Sequence, residues 1–185
     1  MRAILDTIIQ HRLRPVLARV AASGSRITNA LPLSQAFVLD YVSAFALGLP
    51  LGHKFLNDAA ALQHWSDLYN KSYSGGFTGY CLKEHGRITR WLCSIGVPML
   101  PLSYTEARRE LEAWALQKVD NAEEILRQNH KISTPNVIPG DLPILYDAVR
   151  AGMAEQDGCK EGDVFTPSPT QRLELAAECL DHIGK

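Results

Sequence analysis

Residues 72–103, SYSGGFTGYCLKEHGRITRWLCSIGVPMLPLS, switch their hydrophobic period from that of a strand to that of a helix within a few positions. No other stretch constrains the fold as much. Gly75 and Gly76 end whatever precedes them. Residues 77–83 carry Phe, Thr, Tyr and Cys in near alternation, the pattern of a strand. Glu84, His85, Gly86, Arg87 and Arg90 then crowd a corner. Ile88, Trp91, Leu92 and Ile95 recur at helical spacing, which predicts a helix beginning near Glu84 to Arg87 and stopping at Gly96. Residues 97–102, VPMLPL, read as a short strand that its two prolines confine to an edge.

The corner has a definite chemistry. A helix N-terminus leaves unpaired N–H groups and a partial positive charge. Glycine there lets a ligand approach the backbone. Arg87 and Arg90, three apart, share a helix face, and two guanidinium forks beside such an end suit a phosphate. Glu84 and His85 offer a base or a metal ligand, although two such groups do not define a metal site. The plainer alternative leaves both arginines solvated and His85 as a capping or packing residue.

Composition sets the outer bounds. A chain of 185 residues, 46% hydrophobic and 21% charged, reads as one globular domain with a sizeable core. A net charge of −1 gives no overall attraction to nucleic acid. The charge is uneven: residues 1–30 hold five arginines against Asp6, and residues 141–185 hold nine acidic side chains against four basic ones. That asymmetry reads either as a basic face for DNA with an acidic tail, or as two solvated surfaces. Cys81, Cys93, Cys159 and Cys179 form no C-x-x-C pair, so free thiols in a reducing cytoplasm are expected. The arginines, Asp6 and His11 near the start argue against a signal peptide, and Asp40 and Pro50 break the longest apolar run. Membrane insertion is not expected.

Along the chain, residues 1–14 read as an amphipathic helix on Ile4, Leu5, Ile8, Ile9 and Leu13, interrupted at Pro15 and resuming over residues 16–22. It is either a docked helix or a basic arm for a partner or DNA. Residues 31–33 read as a first strand, and Ser34 as the cap of a buried helix stopped by Gly48. Asn57 is expected to cap a helix over 58–70. Ser103 or Thr105 should open a helix on Leu111, Trp114, Ala115 and Val119, continuing or restarting at Asp120. Residues 130–140 read as a linker, Asp141 as the cap of a helix over 142–152, residues 154–169 as a loop, and 170–183 as a closing amphipathic helix. His53 and His64 read as non-catalytic.

The run EHGRITRWLCSIGVPMLPL resembles the phosphate-binding element of the ParB/sulfiredoxin superfamily: a strand, a Gly/His/Arg cluster, a short helix ending in Gly, then a strand containing Val-Pro. Residues 31–51 resemble that family's opening strand and helix, and the match spans about residues 27–115. The resemblance implies an α/β (α+β), helix-rich fold: a small mixed sheet with added N- and C-terminal helices, residues 116–185 being a helical extension. It implies Glu84, His85 and Arg87 as catalytic residues and Lys83, Gly86, Arg87 and Arg90 as nucleotide-binding ones. ATP, with Mg²⁺ or another divalent cation, is the implied cofactor.

Two departures narrow the implied chemistry. Glu84 and His85 stand where sulfiredoxins place a catalytic cysteine before His-Arg, and Cys81 lies three residues too early. His-Gly-Arg matches the Gly-Glu-Arg-Arg box of ParB proteins only in part. Size and layout are similar to the plasmid-encoded fertility-inhibition proteins. These imply an ATPase and DNase that blocks conjugative or T-DNA transfer, with DNA and a type IV secretion ATPase or coupling protein as partners. The alternative is a non-enzymatic, mainly helical inhibitor that binds another protein, a reading that an exposed apolar patch would favour.

Overall fold

A computed structural model of the chain describes residues 2–22, 24, 30–73, 86–96, 102–131, 140–159 and 165–184. Its elements are α1 (Arg2–Ile8), a π-helical run (Ile9–Leu13), α2 (Arg14–Ala22), α3 (Leu31–Leu47), α4 (Ala59–Tyr73), α5 (Gly86–Ser94), α6 (Leu102–Lys131), α7 (Ile144–Gln156) and α8 (Pro169–Gly184). Among the described residues there is no strand. The expected α/β fold with a small mixed sheet is therefore corrected to an all-helical one. The expected first strand over 31–33 is the first turn of α3 instead. Pro32 sits where a helix tolerates proline, because its missing N–H would have had no partner there. The expected strand over 77–83 and residues 97–101 of the one expected over 97–102 lie outside the described residues, and Leu102, expected to end the second, opens a helix instead.

The chain divides into two compact units, Met1–Leu62 with Ala115–Lys185, and Gln63–Trp114. In the first, α1 packs on α3, α3 packs on α7 and α8, and those two pack on each other. Ile4, Ile8, Leu47, Val119, Tyr146 and Leu175 are all but fully buried there. In the second, Trp65 stacks on Tyr69 at 5.1 Å, Ala107 and Leu111 are buried, and the exposed His64 Nε2 meets Glu110 Oε1 at 2.8 Å.

Helix ends follow local chemistry that differs from the sequence expectation in detail. Ala30, not Ser34, caps α3, and Ser34 Oγ instead donates to the Ala30 carbonyl at 2.8 Å. Asp58, not Asn57, caps α4, accepting the Ala61 N–H on Oδ1 at 2.9 Å. Helix α6 begins at Leu102 and runs unbroken to Lys131. Ser168 and Gln171 form a reciprocal capping box on α8, with N···O distances of 2.8 and 3.4 Å. Gly48 does stop α3, at φ 86° and ψ 155°, a conformation reserved in practice for glycine.

Pro15 does not break the N-terminal helix. The Arg14 N–H reaches back five residues to the Ile9 carbonyl, so the turn before the proline is wider than an α-helical one. That wider turn relieves the clash between the proline ring and the preceding turn.

Candidate functional site

Gly86 opens α5, and Arg87 follows it with an exposed side chain. Arg90 lies one turn further along the same helix. Lys83, Glu84 and His85 lie outside the described residues, so the phosphate corner is placed only in its helical half. The helix itself was legible: it ends near Gly96, whose φ is +83°.

What periodicity alone could not tell is which way the apolar stripe of α5 faces. Ile88, Trp91 and Ile95 are 59%, 61% and 57% exposed, while Leu92 is half-buried. Spaced three and four apart, they form one continuous face. Arg87 borders the stripe on the side of Trp91. Residues 85–105 contain no carboxylate, so α5 itself carries only apolar, neutral polar and cationic side chains. An amphipathic helix with its apolar side turned out has the form that the donor half of a helix-in-groove contact takes.

A second constellation, buried in the first unit, went unread in the sequence. Asp40 of α3 is fully buried. Its Oδ1 accepts the Phe55 N–H at 2.7 Å, and its Oδ2 faces the Leu56 N–H and Arg12 Nη1, both at 3.4 Å. Arg12 projects from the π-helical run and also donates to the carbonyls of His53 at 2.6 Å and Leu49 at 3.4 Å. Ser43 Oγ accepts the His53 N–H at 2.7 Å, and Lys118 Nζ donates to the Leu51 carbonyl at 2.6 Å. The His53 ring stacks on Phe55 at 4.0 Å.

Electrostatics mark this hub as structural. Burial holds the Asp40 carboxyl above its usual range, although the Phe55 and Leu56 N–H groups and Arg12 pull the other way. Burial, reinforced by Lys118, pushes the His53 imidazole down to about 3, so it is neutral at physiological pH. These side chains supply the backbone of the turn after α3 with the partners it lacks. The sequence held one signal for it, a lone carboxylate inside the apolar run of α3.

A third cluster joins α6, α7 and the segment before α8. Glu123 accepts from Tyr146 Oη at 2.9 Å and from Arg150 Nε and Nη2 at 2.9 and 3.2 Å. Arg150 also donates to the Phe165 carbonyl at 2.5 Å and lies over the Phe165 ring at 5.6 Å. Burial pushes the nearby Cys179 thiol up to about 12, which removes it from nucleophilic chemistry.

Among the described residues no helix is long and apolar enough to cross a membrane, and no group of three or more His, Cys, Asp or Glu side chains is placed to hold a metal ion. Among the described residues the fold is all-helical, and α5 turns its apolar face outward. No protein-family model matches the sequence, and neither the curated proteins nor the solved structures contain a match to it.

Proposed function

We propose that the chain is a helical protein-binding inhibitor that works without catalysis and docks its target through α5. The observation that carries this reading is the outward stripe of Ile88, Trp91 and Ile95. Three large apolar side chains on one face, each more than half exposed, cost solvation free energy that a partner's groove would recover. With Arg87 beside the stripe and no carboxylate in residues 85–105, the complementary groove is apolar with an acidic rim. The partner class is the one that the sequence resemblance implies, a type IV secretion ATPase or coupling protein in the bacterial cytoplasm. The free thiols of Cys159 and Cys179 accord with that compartment.

Binding of the full chain to a purified coupling ATPase, measured by calorimetry, tests this directly. Trp91→Ala should weaken binding at least about thirtyfold, the loss expected for a buried aromatic anchor, with the melting temperature unchanged. Equal binding by the variant contradicts the reading, as does failure of the wild type to bind.

One observation favours a second reading. Arg87 stands exposed in the first turn of α5, beside the N–H groups that a helix start leaves without intrahelical partners, where a phosphate would be held. The nucleotide site implied by the sequence, with ATP and a divalent cation, would need that arginine. Turnover of ATP or cleavage of DNA with Mg²⁺ or Mn²⁺, abolished by Arg87→Ala, would favour this reading over the first.

A further inference from the structure

The N-terminal helix is fully buried only at points along its first half, and in its second half Val16 and Val20 are half-buried. Ile4 and Ile8 of α1 are fully buried, and Arg12 ties the π-helical run to the turn after α3. Beyond that clamp, α2 has no buried residue. Its charges are also left over. Arg2, Arg12, Arg127, Arg150 and Arg172 of the same unit each have a carboxylate within 4 Å. Among the described residues no carboxylate lies that close to Arg14 or Arg19, both exposed, and Arg14 bonds only to the neutral Gln10 amide at 2.7 Å. Residues 7–39 contain no acidic residue at all.

The arrangement around the helix gives those cations a purpose. At about 100° per residue, Val16, Val20, Leu17 and Ala21 share one face, with Arg14 at one edge and Arg19 beyond the other. The geometry points to α2 as a contact surface for duplex nucleic acid. A slim helix face of small and aliphatic side chains lies in the major groove, whose floor offers thymine methyl groups. Arginine on each side reaches the phosphodiester strands that border it. Guanidinium forks fit phosphate oxygens in pairs, and this stretch uses arginine throughout, with no lysine among residues 1–39. The contact carries affinity and little sequence preference, because no polar side chain of the face reaches base edges. It is a surface of the first unit, independent of the α5 reading, and would give an inhibitor of DNA transfer a hold on the cargo itself.

The test is fluorescence anisotropy of the full chain with a labelled duplex of about 20 base pairs, titrated between roughly 50 and 200 mM salt. Wild type should bind with a log–log salt slope near −2, as two phosphate contacts require. Arg14→Ala/Arg19→Ala should lower affinity at least about tenfold at low salt and flatten that slope, with an unchanged melting curve. Trp91→Ala should bind the duplex as wild type does. The proposal is overturned if wild type shows no salt-dependent duplex binding, if the double variant binds equally, or if Trp91→Ala loses the duplex. It is also overturned if phosphatidylglycerol vesicles bind α2 while the duplex neither binds nor competes.

Discussion

Arg12 leaves a π-helical turn to meet Asp40, its Nη1 standing 3.4 Å from the Oδ2 of a carboxylate closed to solvent. The pair is held on both sides by backbone: Asp40 takes the Phe55 N–H, and Arg12 takes the His53 carbonyl. Removing one partner of such a buried pair strands the other. Asp40→Ala should therefore destabilise the protein by ~3–5 kcal/mol. Asp40→Asn, which keeps an acceptor for the Phe55 N–H, should cost clearly less. Urea denaturation of both variants checks the order, and equal losses would mean that the charge, not the backbone acceptor, matters.

His53 sets an acid limit. Its imidazole is depressed from 6.5 to about 3 in the folded chain, so it contributes stability that is complete above pH 6.5 and is lost as the pH falls toward 3. Across that window the unfolded chain binds the extra proton, at a cost of up to ~4–5 kcal/mol. Asp40 acts in the opposite sense: its raised value contributes stability below pH 3.8 that fades as the pH rises through the folded value. Melting temperature should fall from pH 6.5 to 4, and His53→Phe, which retains the stack on Phe55, should flatten that fall. An unchanged pH slope in the variant would contradict this account.

Gly48 is required on two counts. Its φ of 86° is strained for any L side chain, and a Cβ there would sit 2.5 Å from the Asp141 carbonyl oxygen. Gly48→Ala should cost at least ~2–3 kcal/mol, the upper end of backbone strain. Gly24→Ala is the control, since its φ is also positive at 63° but nothing stands within 4 Å, and it should cost ~1 kcal/mol. Thermal unfolding distinguishes the two.

Tyr146 and Arg150 share the Glu123 carboxylate, with Tyr146 fully buried. Tyr146→Phe keeps the ring and leaves Glu123 paired with Arg150, so it should cost only ~1 kcal/mol. Glu123→Ala leaves Arg150 without its counterion and should cost ~3 kcal/mol or more. Chemical denaturation measures both, and a larger loss for the tyrosine would refute the order.

Helix existence was legible wherever apolar residues repeat at 3 and 4, as in α3, α5, α6 and α8, and so was the stop at Gly48. Fold class was not. Leu31-Pro32-Leu33 reads as a strand because three residues hold too little periodicity to separate it from a helical first turn, and Pro32 suits both. Caps slipped by a few residues because Ser34, a good cap by residue type, lies inside α3 and bonds back to the Ala30 carbonyl, and because Asp58 is as good a capping residue as its neighbour Asn57. The direction of the Ile88–Trp91–Ile95 stripe was hidden for a different reason. Helical spacing says that residues share a face, and whether another element covers that face is decided by tertiary packing.

Trp91 itself offers the most direct test of the outward stripe on which the proposed function rests. Emission and acrylamide quenching of the wild type should contain a red-shifted, freely quenched component that Trp91→Phe removes, leaving the signal of Trp65 and Trp114. A blue-shifted, quencher-resistant Trp91 component would mean that the face is already covered, and the docking account would fall.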